Sequence, residues 1–573
     1  MHQTTPGIAE MSIPPKLEHA ALIDAIGQLI PAVRESDVTL SRRFYDSFDW
    51  RLFLAGASLE WRFSEVAGTS DSAWSPVDAR PPARPRLSWR DLRKPHAMPI
   101  EQPLESEPGL LDELPAGPVR DRLAGLLEMR RLLPMVDVIS QQTPLRLLNE
   151  DEKTVVRLLI EQNRFREPNS GQHGVLLSRL RLEPVRGYAE AFEQAREVLA
   201  SRLGLALLDE SMAQEALVAA GHRPGQYSTK LDQTLDPDQR ADLATKQILR
   251  GLLATLEANI EGACQNLDSE FLHDLRVATR RTRSALSQIK GVFPESLVVD
   301  FKARFAWLQQ ITGPMRDLDV YLLDFPDMER RLPTVLSADL KPLHEQLVRQ
   351  HLEAQRQLAR ELRSPTFSQL LRDWHRFLDE PVSATETTSP DLQDSPDAPP
   401  KQALWPIKRV ADQRIRKMLK RVRAEGRAIT KDSPPEDLHE LRKSCKKLRY
   451  LMEFFQSLYP KDRIREQIKQ TKLLLDNLGR FQDTAVQAQH LREHAESSAG
   501  GETLPARTLV AMGALISQLL RDQAQARATF GEVFATFDSA ENAKRFKDLF
   551  VAHAHPQGAL SPSGSAIAQG ESQ

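Results

Sequence analysis

Two segments of this 573-residue chain repeat one another: HDLRVATRRTR from His273 and HELRKSCKKLR from His439, 166 residues apart. The same offset relates Phe293-Pro294 to Tyr459-Pro460, Gly313 to Gly479 and Asp317 to Asp483, with no net insertion. A register kept over that distance is a strong constraint. The second half must fold as two copies of one unit, each burying the same faces.

Periodicity gives the copies their fold class. After Asp236-Pro237, apolar residues recur at i, i+3, i+4 and i+7 and strand signals stop, so this half reads as all-α. At about 100° per residue, His273, Arg276, Arg280 and Arg283 form a stripe about 80° wide. Leu272, Leu275, Thr279, Thr282, Leu286 and Ile289 fill the adjoining sector and should face a core. The second copy repeats the plan with His439, Arg442, Lys446 and Arg449, backed by Leu441, Cys445, Leu448 and Met452. A charged stripe on a helix is ordinarily a solvated face of mixed sign. These stripes instead place like charges at i, i+3 and i+4, which is mildly destabilising. Self-repulsion present in duplicate points to an anionic partner.

Charge is unevenly spread. The chain has 77 basic and 79 acidic residues, which excludes a polybasic coat over the whole surface. Between Lys401 and Asp483, however, 22 basic residues face 11 acidic ones. Lys408, Arg409, Arg414, Arg416, Lys417, Lys420, Arg421, Arg423 and Arg427 supply much of that excess. The first copy, Arg240 to Arg330, holds 12 basic against 13 acidic residues, so only its pattern is basic. The stripes carry no interleaved aromatics on which bases would stack, and no zinc-finger, RNP-like or basic-zipper signature occurs. A ligand made of phosphate without bases fits better, since Arg forks and Lys point charges suit phosphate oxygens. Nucleic acid is therefore not the expected partner.

The first half reads differently. Residues 1–14 and 554–573 read as loose tails, 15–220 as an α+β domain, and 382–401 as a disordered connector between bundles at 238–381 and 402–553. Val38–Phe63 carries extended patterns with a turn at Ala55-Gly56. Prolines at 81, 82, 85, 95, 99 and 103 predict loop and short strand. Val136–Gln141, Val155–Gln162 and Val175–Leu182 are strand candidates, and Tyr188–Leu208 a helix. Cys264 and Cys445 form neither a disulfide framework nor a paired metal motif. With no signal-like start and no long apolar run, a cytoplasmic protein without membrane spans is expected.

HDLRVATRRTRSAL, followed by the Gly-x-x-Arg-Asp-Leu-Asp-Val run from Gly313 to Val320, resembles the CHAD (conserved histidine α-helical domain) family. HELRKSCKKLRYLMEFF with LLDNLGRFQD is similar to that family's C-terminal half, and the likeness runs from about Asp238 to Phe550. It implies two tandem four-helix bundles related by a pseudo-twofold, with a basic groove that binds inorganic polyphosphate and association with polyphosphate granules. Carried over by position, the groove would hold His273, Arg276, Arg280, Arg281, Arg283, Arg316, His439, Arg442, Lys446, Lys447 and Arg449. Lys302, Lys469 and Lys472 are further candidates. Gln482 stands where the first copy has Arg316. The two histidines read equally as ligand donors or as structural groups. His273-Asp274 is not repeated as His-Asp in the second copy and no further His follows at i+4, so no metal is expected. No cofactor is expected either.

Tyr45-Asp46-Ser47, Asp49, Leu52, Gly56 and the strand LEWRF resemble the CYTH, or triphosphate-tunnel, family, which implies a mainly antiparallel, tunnel-like N-terminal domain. That family opens on a Glu-x-Glu-x-Lys strand, whereas the opening here reads PPKLEHAALIDAIGQLI. Without those carboxylates there is no evident means to hold Mg²⁺, so the domain reads as degenerate and non-hydrolytic. Arg42, Arg43, Arg62, Arg130, Arg131, Arg157, Arg179 and Arg181 could still bind anions, but solvated strand faces are the expected setting for them. The sequence thus favours a non-enzymatic polyphosphate binder. Its rivals are a metal-dependent tri- or polyphosphatase centred on the N-terminal half, and a helical scaffold or nucleic-acid binder.

Overall fold

The computed structural model describes residues 7–63, 85–94, 97–231, 233–381, 400–497 and 504–550. Pro81, Pro82, Pro95, nearly all of the 382–401 connector and the 554–573 tail lie outside these residues. The chain divides into two compact units, Met1–Thr229 with Asn266–Phe271, and Lys230–Gln265 with Leu272–Gln573.

The first unit is built on one antiparallel sheet. Its strands are β1 (Ala9–Ser12), β2 (Ala32–Arg34), β3 (Val38–Asp46), β4 (Ala57–Phe63), β5 (Arg86–Asp91) and β6 (Ile100–Pro103). They continue with β7 (Leu133–Leu148), β8 (Thr154–Arg166), β9 (His173–Val175), β10 (Arg179–Pro184) and β11 (Ala206–Leu207). The order is β11-β1-β10-β8-β7-β3-β4-β5-β6, with β2 on β7 and β9 on β8. Helices α1 (His19–Leu29), α2 (Arg51–Leu54), α3 (Pro118–Leu127), α4 (Ala189–Leu203) and α5 (Met212–Ala219) cover its apolar face. Gly56 takes φ +70° between α2 and β4, where the Ala55-Gly56 turn was expected.

Three expectations change. Ala9–Ser12, read as tail, is a strand paired with β10 from Ala9↔Leu182 to Ser12↔Arg179. The stretch searched for an opening strand instead forms α1, whose Leu22 and Ile26 are fully buried. Val175–Leu182 splits into the end of β9 and the start of β10. Strand alternation then sends Ala9, Met11 and Ile13 into the core and leaves Glu10 on the opposite, charged face.

The second unit is helical throughout its described residues. The first copy comprises α6 (Ala241–Ala258), α7 (Ile260–Gln265), α8 (Ser269–Gln288), α9 (Glu295–Ile311), α10 (Gly313–Arg331), α11 (Thr334–Ser337), α12 (Lys341–Leu362) and α13 (Pro365–Asp379). The second comprises α14 (Ile407–Ala428), α15 (Pro435–Phe454), α16 (Lys461–Ser497), α17 (Ala506–Phe537) and α18 (Ala540–Leu549). The 166-residue offset holds at the helix ends. It carries the start of α6 to that of α14, both ends of α8 to those of α15, the start of α9 to that of α16, and the end of α10 to that of α16. One difference is local. Pro314 lacks the N–H that a continuous helix needs, and α9 and α10 part at Thr312; Arg480 at the matching place lets α16 run unbroken.

The copies share a core. Leu318, Tyr321, Phe325, Leu343 and Leu347 of α10 and α12 pack with Ala488, Leu491, Met512 and Leu515 of α16 and α17. In the first copy, Trp374 is wholly buried and meets Phe301 and Phe305 at ring separations of 4.6 and 5.1 Å. Among the described residues, no helix is long and apolar enough to cross a membrane.

Candidate functional site

Helices α8 and α15 are buried where their patterns require. Leu272, Leu275, Thr279, Thr282, Leu286 and Ile289, and in the second copy Leu441, Cys445, Leu448 and Met452, all face the core. The cationic stripe is not a solvated face on either helix. His273, Arg276, Arg280, Arg281, Arg283, His439, Arg442, Lys446, Lys447 and Arg449 are each only partly exposed.

The two stripes meet. Arg281 of α8 donates to Glu453 of α15 at 3.2 Å, and Arg449 reaches the same carboxylate at 3.3 Å. Close by, burial and then the charges of Arg442 and Arg280 push the Lys446 ammonium down to about 8, with Asp483 opposing. Arg276 is pushed down to about 10, first by burial and then by Arg280. Such shifts are what desolvated like charges produce. Among the described residues, neither Arg280 nor Lys446 has a carboxylate at ion-pair distance.

The ends of the stripes are anchored in matching ways. Arg276 Nη1 donates to the Gln309 carbonyl at 2.9 Å and to Thr312 Oγ1 at 2.8 Å, beside Gly313. Its counterpart Arg442, beside Gly479, donates to Asp483 at 3.2 Å. Arg316 acts electrostatically on Arg276. The Gln482 substitution has a structural consequence, for its Oε1 lies 3.0 Å from His439 Nδ1. An Nδ1–H donated there leaves Nε2 as the other polar atom of the ring. The Nε atoms of Arg276 and Arg442 are buried without a hydrogen-bond partner. Asp319 accepts from His351 at 2.9 Å. Among the described residues, no three His, Cys, Asp or Glu side chains are grouped to hold a metal ion.

A cleft of about 670 Å³ opens beside Lys447. From α14 it receives Arg414, Lys417, Lys420 and Arg421; Lys290 just past α8 and Lys302 of α9 close it. Among the described residues, no acidic one lines it. Lys290, Lys302, Lys417 and Lys420 are exposed and, among the described residues, lack an ion-pair partner; Arg421 pairs with Glu425 at 2.5 Å. Burial, then Arg421 and Lys443, lower the Lys447 ammonium. Lys302 thus belongs to this cleft, whereas Lys469 and Lys472 are exposed on α16 and join neither group. The α14 cations were visible in the sequence only as surplus charge. Their 414, 417, 421 spacing was the available sign that they share a face.

The family model described as CHAD domain matches residues 247–492. This region of the chain is a CHAD domain. The crystal structure of the CHAD domain from the plant Ricinus communis is similar at 23% identity and a TM-score of 0.43, covering 54% of this chain and 98% of that one. PptA from Streptomyces chartreusis is 16% identical with a TM-score of 0.38, over 52% and 99% of the two chains. PH1819 from Pyrococcus horikoshii OT3 is 10% identical with a TM-score of 0.22, over 37% and 94%. No curated protein matches.

The other charged cluster lies on the polar face of the N-terminal sheet, and it corrects the expectation of solvated arginines. Of the eight, only Arg157 is exposed. Arg42 pairs with Glu161 at 3.1 Å, Arg62 with Glu60 and Glu101, and Arg43 with Asp137. Arg179 holds Glu10 at 2.9 Å and Glu215 at 2.6 Å, and Arg181 holds Glu183 at 3.1 Å. Arg130 pairs with Asp49 and Asp268, and Arg131 with Glu113. Glu10 of β1 also reaches Arg90 of β5 at 3.4 Å, so strands far apart in the sheet order approach across this face. Burial alone would raise the Glu60 carboxyl, but Arg62, Arg42 and Arg90 outweigh it and hold it at about 2. Apart from Arg157, these arginines are compensated by carboxylates of the same unit: Arg42, Arg62, Arg179 and Arg181 on the polar face of the sheet, and Arg43, Arg130 and Arg131 away from it. The sole carboxylate of β1 is Glu10, with Ile8 and Ser12 two residues to either side.

Proposed function

We propose that the CHAD domain binds inorganic polyphosphate along the meeting stripes of α8 and α15. Lys446 carries the reading. A lysine held beside Arg280 and Arg442 in a desolvated setting, with no carboxylate among the described residues in ion-pair reach, is electrostatically unsatisfied. A chain of phosphates relieves it by displacing water and counterions from several cations at once. The groove residues are His273, Arg276, Arg280, Arg281, Arg283, Arg316, His439, Arg442, Lys446, Lys447 and Arg449. Glu453 and Asp483 neutralise Arg281, Arg449 and Arg442 in part and so moderate the affinity. The absence of aromatic platforms in the stripes favours polyphosphate over single-stranded nucleic acid. Binding is not itself a chemical step, and association with polyphosphate granules is its physiological counterpart.

Arg280→Glu combined with Lys446→Glu tests the reading. Affinity for long-chain polyphosphate should fall by at least roughly a hundredfold while the melting temperature holds or rises. A collapse of melting, or an unchanged affinity, would make the stripes structural.

A further inference from the structure

The 166-residue repeat predicts that any surface of one copy recurs in the other. The cationic cleft does not. Displacing its lining by 166 residues puts Ile248 for Arg414, Gly251 for Lys417, Ala254 for Lys420 and Thr255 for Arg421. Gln456 replaces Lys290 and Ile468 replaces Lys302. The one cation kept is Arg281, opposite Lys447, and Glu453 already takes it.

The matching face is also covered by the protein's own chain. Gln456 donates to the Leu231 carbonyl at 2.9 Å, Leu235 N–H donates to Ser457 at 3.2 Å, and Gln247 donates to the Thr234 carbonyl at 3.3 Å. Gln233 packs so closely on Gly251 that a Cβ there would lie 2.0 Å from its amide nitrogen. One pseudo-equivalent face is therefore neutral and occupied, and the other is a cation-lined cavity. Arg414 Nε is buried in the cleft wall without a hydrogen-bond partner, although its Nη2 is held by the Lys290 carbonyl and Gln402. Four of the second copy's surplus cations, Arg414, Lys417, Lys420 and Arg421, belong to this asymmetry.

We propose that the α14 cleft is an anchoring subsite for condensed phosphate with no counterpart in the first copy, so that a polyphosphate chain is held lopsidedly. The proposal rests on the polyphosphate reading above. Short condensed phosphate fills the cleft alone, through lysines that make no competing ion pairs; a longer chain extends from it past Lys447 onto the stripes.

Calorimetric titration of the full chain with tripolyphosphate and with long-chain polyphosphate at fixed salt tests this, comparing wild type with Lys417→Ala/Lys420→Ala. Both lysines are exposed, so melting should not change. The expected result is one tripolyphosphate per chain, weakened roughly tenfold or more in the variant, with long-chain binding reduced but kept by the stripes. Unchanged tripolyphosphate affinity in the variant, or two equal sites per chain, overturns the subsite and leaves the polyphosphate reading standing. Tighter binding of inositol hexakisphosphate than of either condensed phosphate overturns the assignment of ligand. Failure of wild type to bind long-chain polyphosphate overturns the reading and the subsite together.

Discussion

Raising the pH from 7 to 9 should weaken polyphosphate binding roughly tenfold, and the cause is one side chain. Lys446 sits near 8, against an ordinary 10.5. It is therefore about nine-tenths charged at pH 7 and about one-tenth charged at pH 9. A phosphate chain laid beside it restores the charged form, so at pH 9 binding must take up close to one proton. Arg276, near 10, stays mostly charged over this interval, and the interior phosphates of a long chain do not titrate there. The stability slope has the opposite sign. Because the folded pKa lies below the unfolded one, the fold is penalised while Lys446 is charged, and this contribution to stability grows as pH rises from about 8 toward 10.5. Fluorescence anisotropy of labelled long-chain polyphosphate at constant ionic strength, with calorimetry in two buffers of different ionisation enthalpy, reads both the affinity and the proton. Lys446→Met should flatten the pH profile and raise the melting temperature at pH 7. A flat wild-type profile, or a slope that survives Lys446→Met, would refute the reasoning.

Other perturbations have equally definite outcomes. Glu453→Gln removes the carboxylate shared by Arg281 and Arg449, and should tighten polyphosphate binding severalfold while lowering the melting temperature. Gly426→Ala would set a Cβ 1.9 Å from the Phe534 ring, and should cost about 1–3 kcal/mol in urea unfolding. Gly513→Ala meets nothing within 4 Å on α17 and should stabilise by about 0.5–1 kcal/mol. Trp374→Ala empties the centre of an aromatic cluster and should cost about 3–5 kcal/mol by the same assay.

The helical half was legible because its repeat is written in residue types that burial enforces. Leu275 and Leu441 occupy the same place in the same packing, and so does each partner in the stripes. Two things were hidden. Charge counting found the surplus on α14, but a cleft exists only where Lys290, Lys302 and Lys447 arrive from other helices, and no one-dimensional pattern reports that convergence. The core shared between Leu318 of α10 and Leu491 of α16 is likewise a property of the assembled fold. In the N-terminal unit the opening strand was missed because Ala9–Ser12 is four residues long, too short for alternation to register. Its arginines look solvated in sequence because their neutralising partners, such as Glu161 for Arg42, lie far away along the chain. Strand periodicity told which residues share a face and could not tell that the charged face is enclosed.

The salt dependence of long-chain polyphosphate affinity for the intact protein decides whether the stripes bind by charge. If facing rows of cations grip the polyanion, the logarithm of affinity must fall linearly and steeply with the logarithm of salt concentration, and the slope must shrink when Arg280 and Lys446 are replaced. Absence of binding at low salt, or a slope that those replacements leave untouched, would contradict it.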